Sequence, residues 1–579
     1  MVTAIAPPPR KPATEEPAGS LWVDLLVGAF VLAVIAVAVW FGRQSNASFS
    51  RSVEIDLSWK ALPGYALLSF TRGLVAYVLS LGFTLVYGTI AAKSRRAERV
   101  MIPILDILQG IPVLGFLPPL VLGMIALFPS SNLGLELACI IMIFTGQVWN
   151  MTFSFYGSLR AIPTELIEVS KVYRASWWRR FTRLELPSSA IGLVWNSMVS
   201  FAGGWFFLML CESFQLDKSD FRLPGLGSYM TVAWEQGNRG AIAGGVVAMV
   251  AIIVLSDQFI WRPLVVWSQK FRLEDIEAAE APSSFVFTFL KGSRLLRKRR
   301  APVALVSAHA VPTPVRPRVE LKDRPWAGPA ISVLGWSVAV ALTGFSAYGA
   351  WKLLGLLGEL RVSEWATIAG SLGLTSLRTI AALAIATLWA VPVGVAIGSS
   401  PRLARRALAF VQVLASFPAP MLFPILAWIF VAKLGFSFAW SSVVLTLFGA
   451  QWYILFNVIA GTMSIPTDLR EVAAVYRSDG WVLWRRLILP GIFPHLLTGL
   501  ITAAGGAWNA AIVTEYQNVN GKLVTAPGLG SLISGATVAG NNSTLAGAVL
   551  ALTVTLVLLN RFVWKRLFRW SDARFSYNR

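Results

Sequence analysis

Cysteine and histidine are almost absent: the chain has only Cys139, Cys211, His309 and His495. Both cysteines lie in apolar stretches, which excludes a disulfide framework, and the four residues are too scattered to suggest a metal centre. A nucleotide-binding loop is missing as well. The nearest approach to a Walker A motif, Gly521-Lys522, runs on into Leu523, and that loop needs Ser or Thr after its Lys. Gly225-Leu226-Gly227 and Gly528-Leu529-Gly530 lie outside any βαβ pattern, so they read as tight turns or sites of close helix packing. No embedded His/Glu cluster or nucleophile constellation points to a membrane-bound enzyme. Charge is scarce too, at 14% of residues against about 25% in soluble domains.

What is abundant is apolar length. The chain is 56% hydrophobic over 579 residues, with a mean hydropathy of +0.64, and runs such as 21–41, 240–261, 327–350 and 543–564 carry few or no charges. A bilayer crossing takes ~20 such residues as helix. These runs are continuous rather than alternating, so an all-α polytopic membrane protein is expected, and strands are not. The stretch Leu21–Phe41 is too long for a signal-peptide core and follows a polar, Pro-rich tail of residues 1–20. It reads as a retained first span.

A net charge of +21 suggests nucleic acid until its placement is considered. Of the 50 Lys and Arg residues, 38 fall in alternate inter-span segments, 13 of them within 262–326. This is the positive-inside pattern, which places both termini in the cytoplasm and leaves a nucleic-acid partner without support.

The second half restates the first. Arg72, Gly88, Arg99, Pro112 and Pro118 recur 306 positions later. Further on, Trp149, Glu168, Tyr173, Arg174, Trp205 and Glu212 recur at an offset of 303. Each half is expected to hold six spans: 21–41, 66–92, 101–128, 134–158, 188–212 and 240–262, then 327–352, 372–398, 407–432, 438–462, 491–515 and 543–565. Six is even, so the halves share one orientation and are related about an axis along the membrane normal. The organisation is a tail (1–20), a first half (21–267), a cytoplasmic linker (268–326), a second half (327–570) and a short tail (571–579). Within the linker, Phe285–Arg300 places aromatics before a basic cluster. That segment is either a solvated tether or a piece resting on anionic headgroups.

Each half has one long cytoplasmic loop between its fourth and fifth spans. The loops begin Pro163-Thr-Glu-Leu-Ile-Glu-Val-Ser-Lys-Val-Tyr-Arg174 and Pro466-Thr-Asp-Leu-Arg-Glu-Val-Ala-Ala-Val-Tyr-Arg477, and they end at Leu186-Pro187 and Leu489-Pro490. Thr164 and Thr467 are placed to cap amphipathic helices with acidic first turns, over about 164–177 and 467–480. Leu166, Val169 and Tyr173 share one face, as do Leu469, Val472 and Tyr476. The spacing from Glu168 to Pro187, repeated from Glu471 to Pro490, resembles the EAA motif of binding-protein-dependent ABC importer permeases. That resemblance implies a type I importer fold, with Glu168, Tyr173, Arg174, Glu471, Tyr476 and Arg477 on coupling helices that dock on two ATPase subunits. It also implies that ATP and Mg bind those subunits and not this chain, that an extracytoplasmic binding protein delivers the solute, and that one fused copy serves each complex in the bacterial inner membrane. The family's usual Gly six residues after the Glu is Arg174 and Arg477 here, which puts the local turn in question. Gly203–Trp205, Gly505–Asn509 and the Pro-Gly-Leu-Gly-Ser runs are similar to the nitrate, taurine/sulfonate and bicarbonate branch, implying a small anionic solute. A fused ferric-iron or thiamine permease, or a secondary transporter with paired six-span halves, would share the layout.

Embedded polar residues complete the reading. Arg72 and Arg378 lie a few residues inside the outer ends of spans, and Glu212 and Glu515 end neighbouring spans at similar depth. An Arg at a span centre costs roughly 2.5–3.5 kcal/mol on insertion scales, so Arg–Glu pairing near an outer gate is expected, within or across halves, with separate snorkelling as the alternative. Trp205 and Trp508 recur in register and are candidates to constrict the path, with core packing as the alternative. Gln147, Asn150, Asn196, Gln451, Asn457 and Asn509 either line a path or bond helix to helix. These residues alone leave the solute's charge open.

Overall fold

The computed structural model describes residues 21–50, 53–110, 113–216, 219–271, 284–291, 344, 347–519 and 522–575. Long helices dominate. Eight are long and apolar enough to cross a membrane, or ten if each of two bent pairs is one span. Of the two other expected spans, 101–128 is not one helix: it divides into Arg95–Gly110, a 3-10 turn Val113–Phe116 and Leu117–Leu127. Its counterpart bends by 81° between Phe410–Ser416 and Ala419–Lys433, where Pro418 cannot continue a hydrogen-bonded helix. The span 327–352 lies mostly outside the described residues, although 347–358 is helical. The tails at 1–20 and 576–579 and most of the linker also lie outside them. Helix Lys565–Phe575 runs on from the last span into the expected C-terminal tail, and Trp570 at the end of the second half packs edge-on against Phe493.

The helices pack through small residues. Leu62–Lys93 buries Arg72, Ala76, Ser80, Thr84, Gly88 and Ala91 at three- to four-residue spacing, a stripe that lets backbones approach closely where lipid provides no hydrophobic drive for association. It lies along Leu133–Arg160, with Thr84 and Thr152 hydroxyls 3.0 Å apart. A Cβ on Gly88 would stand 2.7 Å from the Phe155 ring. Val362–Gly398 repeats this with Thr375, Thr379, Ala382, Ala386, Ala390 and Gly394, the last with 2.7 Å between an added Cβ and Val458.

Small strands do occur, contrary to the expectation of none. Ser213–Leu216 pairs antiparallel with Ser219–Arg222, and Tyr516–Val519 with Lys522–Thr525. Each hairpin follows the fifth span of its half, and its four-residue strands are far too short to cross a bilayer, which takes ~9–11 residues per strand.

The two loop helices are shorter than expected, Thr164–Val172 and Thr467–Val475, and Pro163 and Pro466 occupy their N-cap positions. The threonines therefore stand inside the first turn, and neither helix has a side-chain cap bond. Both end in a Schellman motif. Ala175 N–H donates to Ser170 O at 2.9 Å and Arg174 N–H to Lys171 O at 2.9 Å; Ser478 and Arg477 repeat the pattern at 2.8 and 3.0 Å. Arg174 and Arg477 have φ of 46° and 47°, the only non-glycine residues with positive φ among those described. The turn expected of glycine is kept with arginine in its place. A left-handed L-residue costs about 1–2 kcal/mol, while glycine loses ~1 kcal/mol more backbone entropy on folding than alanine does. Arg174→Gly and Arg477→Gly should therefore leave the melting temperature of the solubilised protein unchanged or slightly raised. Arg174→Val, β-branched in the same conformation, should lower it. A clear loss on the glycine substitutions would contradict this turn geometry.

Candidate functional site

At the span ends opposite the loop helices the expected pairs form within each half. In the first, the Arg72 Nη1 donates to Glu212 Oε1 at 2.7 Å and to the Pro224 carbonyl at 2.8 Å. Its Nε and Nη2 grip Glu136 in a two-bond fork at 2.6 and 2.7 Å. All three side chains are buried. Removing such charges from water costs several kcal/mol per ion and is tolerable only when each lone pair and proton is matched. Glu212 meets that condition: Oε1 also accepts from Ser69 Oγ at 2.7 Å, and Oε2 accepts from the Gly227 N–H at 2.7 Å.

The Pro-Gly-Leu-Gly-Ser run is built around this carboxylate. Leu226 N–H donates to Ser69 Oγ at 2.9 Å, so the N-terminus of helix Leu226–Glu235 sits over Glu212 with its first two open N–H groups satisfied. A Cβ at Gly225 would lie 2.3 Å from the carboxyl group. The second half repeats the device: Arg378 Nη1 and Thr375 Oγ1 donate to Glu515 Oε1 at 2.8 Å each. Leu529 N–H donates to Thr375, and Gly530 N–H to Glu515 Oε2, again at 2.8 Å. The copies differ in one respect. Glu136 has no counterpart, since Phe438–Phe448 contains no acid, and among the described residues Arg378 holds a single carboxylate while remaining 11% exposed.

Between the halves lies a cavity of about 180 Å³ with a pseudo-twofold wall. Gly146 is matched by Gly449 and Trp149 by Trp452, each pair 303 positions apart, while Gln109 stands in register with Ala415, 306 positions on, and Gln412 lies one turn before Ala415. The symmetry fails where Asn150 is matched by Tyr453 and Phe206 by Asn509. Asn509 also ties the halves together, accepting from Val113 N–H at 3.1 Å while its amide donates to Gly505 O at 3.0 Å. Trp205 and Trp508 are absent from this wall. They are 3% and 4% exposed and belong to the apolar core, so the structure corrects their placement as constricting residues. The register they share is that of core packing. Among the other polar candidates, Asn196 bonds Ser154 across helices at 2.9 Å, Asn457 bonds its own helix at Tyr453 O, and Gln147 and Gln451 are buried.

On the face that carries the two loop helices, Leu166 and Ile167 turn inward against a small apolar cluster. The expected common face is therefore split: Val169, Val172 and Tyr173 stand 50%, 80% and 82% exposed, and Val472, Val475 and Tyr476 stand 51%, 80% and 79% exposed. Glu168, Arg174, Glu471 and Arg477 are exposed beside them. Such apolar tips at equivalent positions are unusual on a protein surface facing water.

A membrane protein of two like halves, with a central cavity and twinned exposed tips at one end, has the architecture of a permease. The chain belongs to the family described as binding-protein-dependent transport system inner membrane component, which it matches over residues 84–260 and 390–577, once in each half. It is similar to the putative aliphatic sulfonates transport permease protein SsuC of Bacillus subtilis, 22% identical over 256 residues that cover 43% of this chain and 88% of that protein. It is also similar to the bicarbonate transport system permease protein CmpB of Synechococcus elongatus, 33% identical over 147 residues, 25% of this chain and 50% of that protein. With the nitrate import permease protein NrtB of Leptolyngbya laminosa it shares 29% identity over 141 residues, 24% of this chain and 48% of that protein. The chain thus spans about half the length of the nitrate and bicarbonate relatives.

The pinned arginines give a direct expectation. Glu515→Gln leaves Arg378 without a carboxylate, whereas Glu136→Gln leaves Arg72 with Glu212. Breaking a buried pair from one side costs roughly 3–5 kcal/mol, so Glu515→Gln should lower folded yield and transport more than Glu136→Gln, and Arg378→Leu with Glu515→Leu should be milder than Glu515→Leu alone. Strictly additive losses in this double-mutant cycle would show that the pair is not coupled.

Proposed function

We propose that this chain is the whole membrane channel of an ATP-driven importer, carrying a small anion delivered by an extracytoplasmic binding protein. The observation that carries the reading is the pair of exposed apolar tips at Thr164–Val172 and Thr467–Val475, identical in register and each bearing a glutamate. Two like tips suit two like partners, and the family resemblance makes those partners ATPase subunits that hold ATP and Mg. One fused chain then replaces two separate permease subunits in each complex, because 43% of it suffices to cover 88% of the sulfonate relative. The solute class follows from the sulfonate, nitrate and bicarbonate permeases it resembles. In this reading the chain lies in a bacterial cytoplasmic membrane with both termini in the cytoplasm, and the cavity lined by Trp149, Trp452 and Asn509 is on the translocation path. Arg72–Glu212 and Arg378–Glu515 fix its outer gate.

Charge reversal at the tips tests the proposal. Breaking a charge-assisted contact at a partly desolvated interface costs ~2–5 kcal/mol, against almost nothing for a solvated Glu. Glu471→Arg should leave insertion and expression normal but reduce co-purification with the ATPase and solute-stimulated hydrolysis, and adding Glu168→Arg should reduce both further. Wild-type transport by the double variant would remove the docking assignment.

A further inference from the structure

Resting on that importer reading, we propose that the central cavity selects its solute by charge magnitude, admitting a weakly hydrated monoanion and rejecting a dianion of similar shape. The wall contains no Lys, Arg, His, Asp or Glu among the described residues. The two embedded arginines near the outer face do not supply the missing charge, being already bound to Glu136, Glu212 and Glu515. What the wall offers instead is neutral donors. The side chains of Gln109, Gln412, Asn150, Trp149, Trp452 and Tyr453 line the cavity and make no hydrogen bond to another described residue. The hydroxyls of Thr145, Ser416 and Thr502 are occupied by carbonyls of their own helices.

Amide, indole and phenol groups can replace part of an anion's hydration shell. They cannot neutralise it. The cost of moving an ion from water into a less polar site grows with the square of its charge, so a dianion pays ~4 times what a monoanion of equal radius pays. A neutral wall repays the smaller cost more readily than the larger, and its aromatic surface favours ions that give up water easily. The specificity-determining groups are therefore Gln109, Gln412 and Asn150, with the two indoles, and their lack of charge is the selective feature.

Thr502→Cys and, on the other half, Ala202→Cys each place a thiol in the wall. Cys139 and Cys211, each 1% exposed, remain shielded. The full chain in nanodiscs is treated with the neutral reagent methyl methanethiosulfonate, with potassium gluconate holding ionic strength constant. Nitrate and methanesulfonate should slow modification at least about threefold while sulfate leaves it unchanged, and adding Gln412→Lys should make sulfate protective as well. Sulfate protecting as well as nitrate in the unaltered wall, or no protection by either monoanion at either position, overturns the charge-magnitude filter. Protection by thiamine or trimethylamine N-oxide without protection by monoanions overturns the anion-importer reading beneath it. If one cysteine variant fails to fold, the other gives the same readings from the opposite half.

Discussion

A guanidinium buried in a membrane protein must be neutralised where it stands, and much of the outer half of this molecule is arranged to do so. Arg72 is completely buried and has no route to water by snorkelling. Its partners come from three other places in the chain: Glu136 at the start of the fourth span, Glu212 at the end of the fifth, and the Pro224 carbonyl in the loop beyond. A charge that needs partners from several elements fixes their relative positions, since displacing any one leaves a desolvated ion unmatched. The same carboxylate receives the N-terminus of helix Leu226–Glu235, so the loop geometry, the glycines and the serine of Pro-Gly-Leu-Gly-Ser follow from one ionic anchor.

The duplicated chain uses the anchor twice with unequal strength. The first half matches its arginine to two carboxylates and, near the end that carries the loop helices, clamps the buried Glu185 between Lys93 and Arg180 at 2.8 Å each. Among the described residues the second half has one carboxylate on Arg378, and it has Ile488 in place of Glu185. Polar contacts between halves are likewise one-sided among the described residues. Asn509 meets Val113 and Lys565 meets Asp106, both joining the broken third span of the first half to the second half. Across the opposite seam the contact is aromatic, as where Phe206 meets Phe423. A fused pair of halves is free to diverge in this way, because each copy has only one partner to fit.

Much of this was legible in the sequence, for a physical reason: Arg, Glu, Pro and Trp recurring in one register survive only where geometry demands them. Arg72, Arg378, Glu212 and Glu515 were readable because an ion in an apolar span has few solutions. Glu136 was missed because its half alone uses it, although an acid just inside the start of an apolar span was the available signal. Ser69 and Thr375, 306 apart and three residues before each arginine, were a second signal. Trp205 and Trp508 misled because recurrence reports a shared environment, and a packed core recurs as faithfully as a path. The neutral cavity wall was hidden, since its composition exists only once two faces distant in sequence are set opposite each other. The helix caps went to proline because Pro fits a position whose N–H needs no helical partner, leaving threonine one residue inside.

The cytoplasmic tips, the cavity and the ionic anchors are joined by one continuous element in each half. Trp177–Cys211 and Gly480–Thr514 each run 35 residues, ~50 Å at helical rise. Each passes through a π-helical turn, Phe181–Glu185 or Trp484–Ile488, just past the cytoplasmic tip. Next come the cavity-lining residues around Ala202 and Gly203, or Thr502 and Gly506, and the element ends against Glu212 or Glu515. Rigid helices transmit displacement rather than absorb it, whereas a π turn is a local irregularity of the backbone ladder often found at functional sites. With the far end held by a buried ion pair and the near end joined to an exposed tip, a push on the tip has two outlets: bending at the π turn or pivoting about the anchor. Only the second moves the cavity wall. With two carboxylates on Arg72 against one on Arg378 among the described residues, pivoting is resisted more in the first half, and the wall carrying Thr502, Gly506 and Asn509 is the more readily displaced of the two.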